Sequence, residues 1–267
     1  MNISSKPGLT LFLTLATTAV LFSSCDKDHD DDYNPEQPPI NGTVFTSAGD
    51  SAAITGKLIA FRDVAGSTLN GAPGAEGGRR EVNWDGVPAN LSNVINFPSD
   101  FFGATDPALP NGRKRGLITA GQSFRVDSTD FTEIDPSYPG QFESFSRKRL
   151  FAYLGNTVTT VTFKVPGTSL DAYVTAFGVI LSDVDVANQS KVDFFNGNKL
   201  VGTIFAKPAA QGFSFVAGSF PGEKITSVKI TTGNGLLAPG VKDISSGGQL
   251  DLVVMDDFIY NEPKQIL

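Results

Sequence analysis

The chain has 267 residues, 40% of them hydrophobic and only 18% charged, with a formal net charge of −7, 28 glycines, 16 prolines and a single Cys, His and Trp. That composition describes one large or two small packed domains and excludes a disordered chain. The lone histidine, His29, lies in an acidic stretch ahead of the body. This leaves no Ser-His-Asp or Cys-His arrangement and no Cys/His zinc site, and the negative charge argues against a phosphate-tracking nucleic-acid binder.

Lys6 precedes an apolar run from Leu9 to Phe22 that ends in Ser23-Ser24-Cys25. A basic start, a short apolar core and small residues before a cut make residues 1–24 a secretory signal, too short to span a bilayer as a stable helix. The string Leu21-Phe22-Ser23-Ser24-Cys25 resembles the lipobox of bacterial envelope lipoproteins. That resemblance implies a lipidated Cys25 as the first mature residue, the membrane as a partner through this anchor, and an outer-membrane address. Residues 25–49, opening on Asp26-Lys27-Asp28-His29-Asp30-Asp31-Asp32 and continuing through Asn34-Pro35-Glu36-Gln37-Pro38-Pro39, read as an extended, solvated tether. Acids directly after the lipidated Cys resemble the signal that carries some lipoproteins to the cell surface. Loss of residues 1–24 removes Lys6 and no acid, so the mature charge is −8.

Along the body, Ile54, Leu58 and Phe61 recur at i, i+4 and i+7 behind Asp50-Ser51 and ahead of Gly66, which predicts a short capped helix with Gly56 as its one weak position. The glycine-rich stretch Ala65 to Gly78 is a loop. From Arg80 the period changes to two. Val161, Phe163 and Val165 alternate with Thr160, Thr162 and Lys164, and similar runs span Gly116 to Val126, Tyr173 to Leu181, Lys191 to Phe195, Leu200 to Ala206, Gly212 to Ala217, Lys224 to Thr231 and Leu250 to Tyr260. Asn196-Gly197-Asn198-Lys199 supplies a tight hairpin turn. Eight or more strands without intervening helices predict an all-β antiparallel sandwich or barrel over residues 50–262, with a short tail at 263–267. The Pro/Gly-rich breaks Ala104 to Gly112, Ile134 to Gly140 and Gly233 to Gly248 are long for hairpins and fit crossings between sheets or a functional rim.

Three segments together, Gly77-Gly78-Arg79-Arg80-Glu81-Val82-Asn83-Trp84-Asp85-Gly86, Phe177 to Asp185 and Val253-Val254-Met255-Asp256-Asp257-Phe258-Ile259-Tyr260, resemble uncharacterised secreted bacterial proteins akin to the extracellular domains of PEP-CTERM proteins. The resemblance implies a jelly-roll sandwich like that of carbohydrate-binding modules, covering roughly residues 50–262. It differs from the PEP-CTERM pattern in having no sorting helix after Glu262, a role the lipid anchor would fill.

Asp256 and Asp257 interrupt an apolar strand. Strict alternation puts Val254, Asp256, Phe258 and Tyr260 on one face and Val253, Met255, Asp257 and Ile259 on the other, so each face receives a carboxylate. A buried carboxylate needs a partner: either calcium, or Arg79, Arg80 and backbone amides. In carbohydrate-binding jelly rolls a structural calcium joins an early strand to the last. By that resemblance Glu81, Asn83 or Asp85 faces Asp256 or Asp257 at a metal site. Asp183 and Asp185, two apart at a strand end, form either a second metal site or a turn. An exposed Trp84 would serve as a sugar-stacking platform, whereas the 21 phenylalanines among the aromatics favour a core position for it. The cluster Asn111-Gly112-Arg113-Lys114-Arg115-Gly116 reads either as a phosphate or sulfated-glycan site or as a basic loop paired to acids. Glu81, Glu133, Glu143, Asp85 and Asp183 are available for a glycosidase carboxylate pair, but no motif points to one.

These readings lead to one expectation: a lipid-anchored, non-catalytic surface module that recognises a glycan or envelope component, with a structural Ca²⁺ and no nucleic-acid partner. A structural or adhesion protein of the envelope, and then a carboxylate-pair hydrolase, are the alternatives.

Overall fold

The computed structural model describes residues 40–267, so the expected signal sequence, Cys25 and the expected tether up to residue 39 lie outside the described residues. The expected helix forms as α1, Ser51–Ala65. The Asp50 side chain accepts a hydrogen bond from the Ala53 amide, the Gly66 amide donates to the Arg62 carbonyl, and Ile54, Leu58, Phe61 and Ala65 face inward. Gly56 lies on the exposed side, where a missing side chain costs propensity but no packing.

Among the described residues, fourteen strands make two antiparallel sheets that pack face to face, the all-β sandwich with one helix that the sequence predicts. In chain order they are β1 (Thr43–Gly49), β2 (Arg79–Val82), β3 (Leu117–Ala120), β4 (Phe124–Asp127), β5 (Leu150–Tyr153), β6 (Val158–Lys164), β7 (Asp171–Tyr173), β8 (Ala176–Val184), β9 (Lys191–Asn196), β10 (Lys199–Phe205), β11 (Ala209–Ser219), β12 (Ser227–Thr231), β13 (Val254–Asn261) and β14 (Lys264–Gln265). The first sheet runs β1-β11-β8-β13-β5-β4, with β2 added to β13; the second runs β10-β9-β12-β6-β7-β14, with β3 added to β6. The Asn196-Gly197 turn closes the β9–β10 hairpin, with Gly197 at φ +58°.

Several boundaries differ from the sequence reading: the run Tyr173 to Leu181 divides into β7 and β8 in different sheets, and β5 falls outside every predicted run. Residues 43–49, assigned to the tether, form edge strand β1 along β11. Only Phe45 of this strand is buried, so Thr43-Val44-Phe45-Thr46-Ser47-Ala48-Gly49 shows too weak an apolar alternation to stand out. The run Gly116 to Val126 is two strands: a turn at Gly121 sends β3 to one sheet and β4 to the other. Lys264 and Gln265, in the expected tail, pair with β7.

The sheets meet on a core that includes Phe177, Val179, Met255, Phe258 and Tyr260 from one side and Val161, Phe163, Val192, Phe194 and Val228 from the other. The outer face of the first sheet is covered as well. α1 packs on Phe45, Ile180, Phe215 and Ile259, and loops carrying Phe131, Tyr138, Phe142 and Leu237 pack on Leu150, Leu252 and Val254. This double cover explains why all nine residues of β8 are buried, a pattern of continuous apolar character rather than alternation. Gly178 permits the close approach, because a Cβ there would stand 2.6 Å from the Ala217 methyl and 3.0 Å from the Phe61 ring.

Strand β13 departs from the predicted faces. Against β8 it pairs Met255 with Leu181 and Phe258 with Val179, so three steps on β13 match two on β8. Asp256-Asp257 is therefore a β-bulge. The extra residue returns Val253, Met255, Phe258 and Tyr260 to the core between the sheets and leaves Val254 and Ile259 on the outer face. Strict alternation fails here because one inserted residue reverses the side of everything after it.

Candidate functional site

Of the two acids of the bulge, the chain itself satisfies Asp256. Asp256 is buried and accepts from the Phe145 and Ser146 amides and from Ser146 Oγ at 3.0 Å, which pins that segment over the outer face. Burial, then its neighbour Asp257, pushes Asp256 well above the usual carboxylate range; burial likewise raises Asp257, whose Oδ1 has no hydrogen-bond partner among the described residues. Glu81, expected to meet them across a calcium ion, is bound to Arg62 through both oxygens (2.9 and 2.8 Å) and to Arg79 at 2.7 Å. Asn83 is exposed, and Asp85 accepts from the Lys148 amide at 3.2 Å. β2 does join the last long strand, with Val82 opposite Phe258, and among the described residues no three of the acids here have oxygens all within 4.8 Å of one another. The cations near the edge are spent on acids before any ion is needed: Arg79 on Glu81, and Arg80, fully buried, on Glu262 with a bidentate pair at 2.7 and 2.8 Å.

Trp84 is 1% exposed, which corrects its reading as a stacking platform. It lies at φ +63°, stacks on Phe151 with ring centroids 3.9 Å apart, meets Phe97, Phe102 and Phe258 edge-on, and donates from Nε1 to the Asp256 carbonyl at 2.8 Å. That bond goes to a carbonyl of the β-bulge, where the regular ladder is broken. Trp84 therefore ties β2 and the loop after it to β13.

Among the described residues, the one group of three acids with oxygens all within 4.8 Å of one another is Asp183, Asp185 and Asp243. Asp183 sits near the end of β8 at φ +67°, where β11 carries an irregularity between Ala209 and Phe213. It is fully buried, accepting from the Gln211 amide at 2.7 Å and from Gln141 Nε2 at 2.8 Å. Asp243 comes from the long Gly233–Gly248 break. It caps the single helical turn Ile244–Ser246 through the Ser245 amide and hydroxyl, and its other oxygen accepts from the Leu252 amide. Asp251, also buried, accepts from the Asp185 and Val186 amides. Asp185 is partly exposed as a residue, yet its Oδ2 is buried with no hydrogen-bond partner, and Gln189 Oε1 in the following loop is in the same state.

No lysine or arginine pairs with any of these four acids among the described residues. Burial first, against which the Gln211 and Gln141 hydrogen bonds work, raises Asp183 to about 6. Burial, then the Asp243 carboxylate and the Asp183 charge, raises Asp185 to about 7, and burial raises Asp251. Four acids thus converge at one end of the sandwich without a counter-charge. Oxygens within 4.8 Å of one another suit a cation that takes ligands at roughly 2.3–2.6 Å, and an all-oxygen set favours a hard ion over zinc. The chain matches no family model, no curated protein and no solved structure. Function has to be read from this geometry.

Of the residues singled out in the sequence, Asp183 and Asp185 are brought together. Asp243, Asp251 and Gln141 were not anticipated. The one linear signal was Asp243-Ile244-Ser245, a side chain positioned to cap its own turn within a loop already marked as a rim.

Proposed function

We propose that this chain is a lipid-anchored, non-catalytic binding module of the bacterial envelope, a β-sandwich held rigid at one end by a calcium ion between Asp183, Asp185 and Asp243. The observation that carries it is the buried, unpartnered Asp185 Oδ2 inside an acid cluster with no cationic side chain. A buried carboxylate without a counter-charge is costly, and a divalent cation removes that cost while joining the β8 end to the Gly233–Gly248 loop. The remaining ligand positions would fall to water and to nearby carbonyls. Such an ion fixes loops rather than performing chemistry, as expected of a module whose loops recognise a ligand.

The anchor is carried by Cys25 and the apolar run before it. Cys25→Ala should release the protein from membranes in cell fractionation. Retention of the processed variant in the membrane fraction would remove the anchor from this proposal. The cation is tested by the stability shift worked out in the Discussion.

A further inference from the structure

The basic segment at 113–115 is not paired to acids. Arg113 Nε donates to the Phe101 carbonyl at 3.3 Å, Lys114 Nζ to the Pro107 carbonyl at 3.1 Å, and Arg115 to the Gly112 and Asn70 carbonyls at 3.3 and 2.8 Å. None of the three forms a salt bridge among the described residues. This stands out on a body that carries nineteen basic and twenty-two acidic side chains. Arg113 and Arg115 line a cavity of about 250 Å³, walled by Phe101, Phe102, Pro110 and the edge of Trp84. Arg113 Cζ stands over the Phe101 ring, 4.1 Å from its centre, which with the Nε bond positions the guanidinium, while its two terminal nitrogens make no hydrogen bond among the described residues. Partial burial lowers the pKa of Arg115, the mark of a cation drawn from water without a full counter-charge. The one acid on the wall, Glu81, already has both oxygens bound to Arg62 and Arg79.

We infer that this cavity binds a carboxylate-bearing sugar, one uronic acid unit, with the carboxylate on the free fork of Arg113, assisted by Arg115, and the ring against exposed Pro110. A planar guanidinium fork matches a carboxylate in two parallel hydrogen bonds. Pro110 offers an exposed apolar surface to the face of a pyranose ring, and exposed Asn83, which also lines the cavity, offers an amide to its hydroxyls. A volume below the roughly 300–1,000 Å³ of pockets for drug-sized ligands admits a single sugar unit, not an oligomer. This deepens the binding-module reading by naming its ligand class. It stands apart from the acid cluster, so its failure leaves any calcium-dependent stability untouched.

The test is calorimetric titration of the full chain with D-galacturonate, glucose and sulfate at low and high salt, with thermal unfolding in calcium followed in parallel. Saturable binding of galacturonate, weakened by salt and not matched by glucose, is expected. Arg113→Gln should weaken it by roughly tenfold or more, and Arg113→Lys, which keeps the charge without the fork, by an intermediate factor. If Arg113→Gln does not fold, the lysine variant carries the comparison. Glucose binding as tightly as galacturonate, no saturable heat from galacturonate, or variants indistinguishable from the parent would each overturn the inference. Sulfate binding as tightly as the sugar acid would reduce the site to a bare anion hole and overturn the sugar assignment.

Discussion

Asp185→Asn separates a calcium site from an acid cluster that merely tolerates its own charge, because the two make opposite predictions for one substitution. Without metal, Asp185 ionises against burial, the Asp243 carboxylate and the Asp183 charge, and its pKa rises to about 7. The side chain is partly exposed, so solvent screening reduces the benefit of removing its charge to about 1 kcal/mol at pH 8. In EDTA the variant should therefore melt above the parent. With calcium the order reverses. A site of modest affinity, Kd near 10⁻⁴ M, filled at about 10 mM calcium, stabilises the folded state by about 2.7 kcal/mol. For a domain of about 150–250 residues that is roughly 5–11 °C in Tm. Asp185→Asn removes one of three carboxylate ligands and should retain less than about half of that shift. The assay is thermal unfolding by circular dichroism of both proteins, each in EDTA and in calcium. A parent midpoint unmoved by calcium, or equal shifts in parent and variant, would refute the reasoning.

In EDTA the cluster should also set a pH dependence. Asp183 has a raised folded pKa of about 6 against an ordinary 3.8, so its contribution is full below about 3.8 and lost as pH rises through about 6. Unfolding free energies in urea should therefore rise from pH 8 to pH 5, by about 1.4 kcal/mol for this group, and a flat profile would show that the acids do not meet as described. Trp84→Phe leaves the Asp256 carbonyl without its donor and thins the stack on Phe151; a loss of about 2–4 kcal/mol at unchanged m-value is expected in urea, and a loss within error would disprove the tie between β2 and β13. Arg80→Met strands the Glu262 carboxylate in the interior and should cost about 3–5 kcal/mol, most of it recovered in the double variant Arg80→Met/Glu262→Leu, as measured by chemical unfolding.

The parts legible in the sequence are those whose signal is local. α1 announces itself because apolar spacing, N-cap and terminal glycine coincide within seventeen residues, Asp50 to Gly66. β6 and the β9–β10 hairpin follow from alternation and an Asn-Gly turn. β8 is legible as a strand but not as to its faces, since covering layers on both sides erase the alternation. β13 misleads because its bulge lies between two identical residues, so the linear pattern gives no hint of where the phase changes. The same distinction governs the site. Asp183 and Asp185 are visible two residues apart, whereas Asp243 arrives from a loop nearly sixty residues further on and Asp251 from beyond that loop. Their meeting is a property of tertiary closure. At the β2–β13 edge, where the resemblance to carbohydrate-binding modules implies an ion, Arg62 and Arg79 hold Glu81 and Arg80 holds Glu262.

Strand β13 is the last long element of the chain and an interior strand of its sheet, between β8 on one side and β5 and β2 on the other. Its contacts close loops of great length: Trp84 reaches Asp256 across 172 residues, and Arg80 reaches Glu262 across 182. A growing chain therefore cannot complete the first sheet, seal the core between the sheets or pair Arg80 until residues 254–262 have been made. Such non-local closure makes for slow folding. Until β13 is available, β8, β5 and β2 have no common neighbour, so the first sheet stays open through most of synthesis whatever the speed of its local turns.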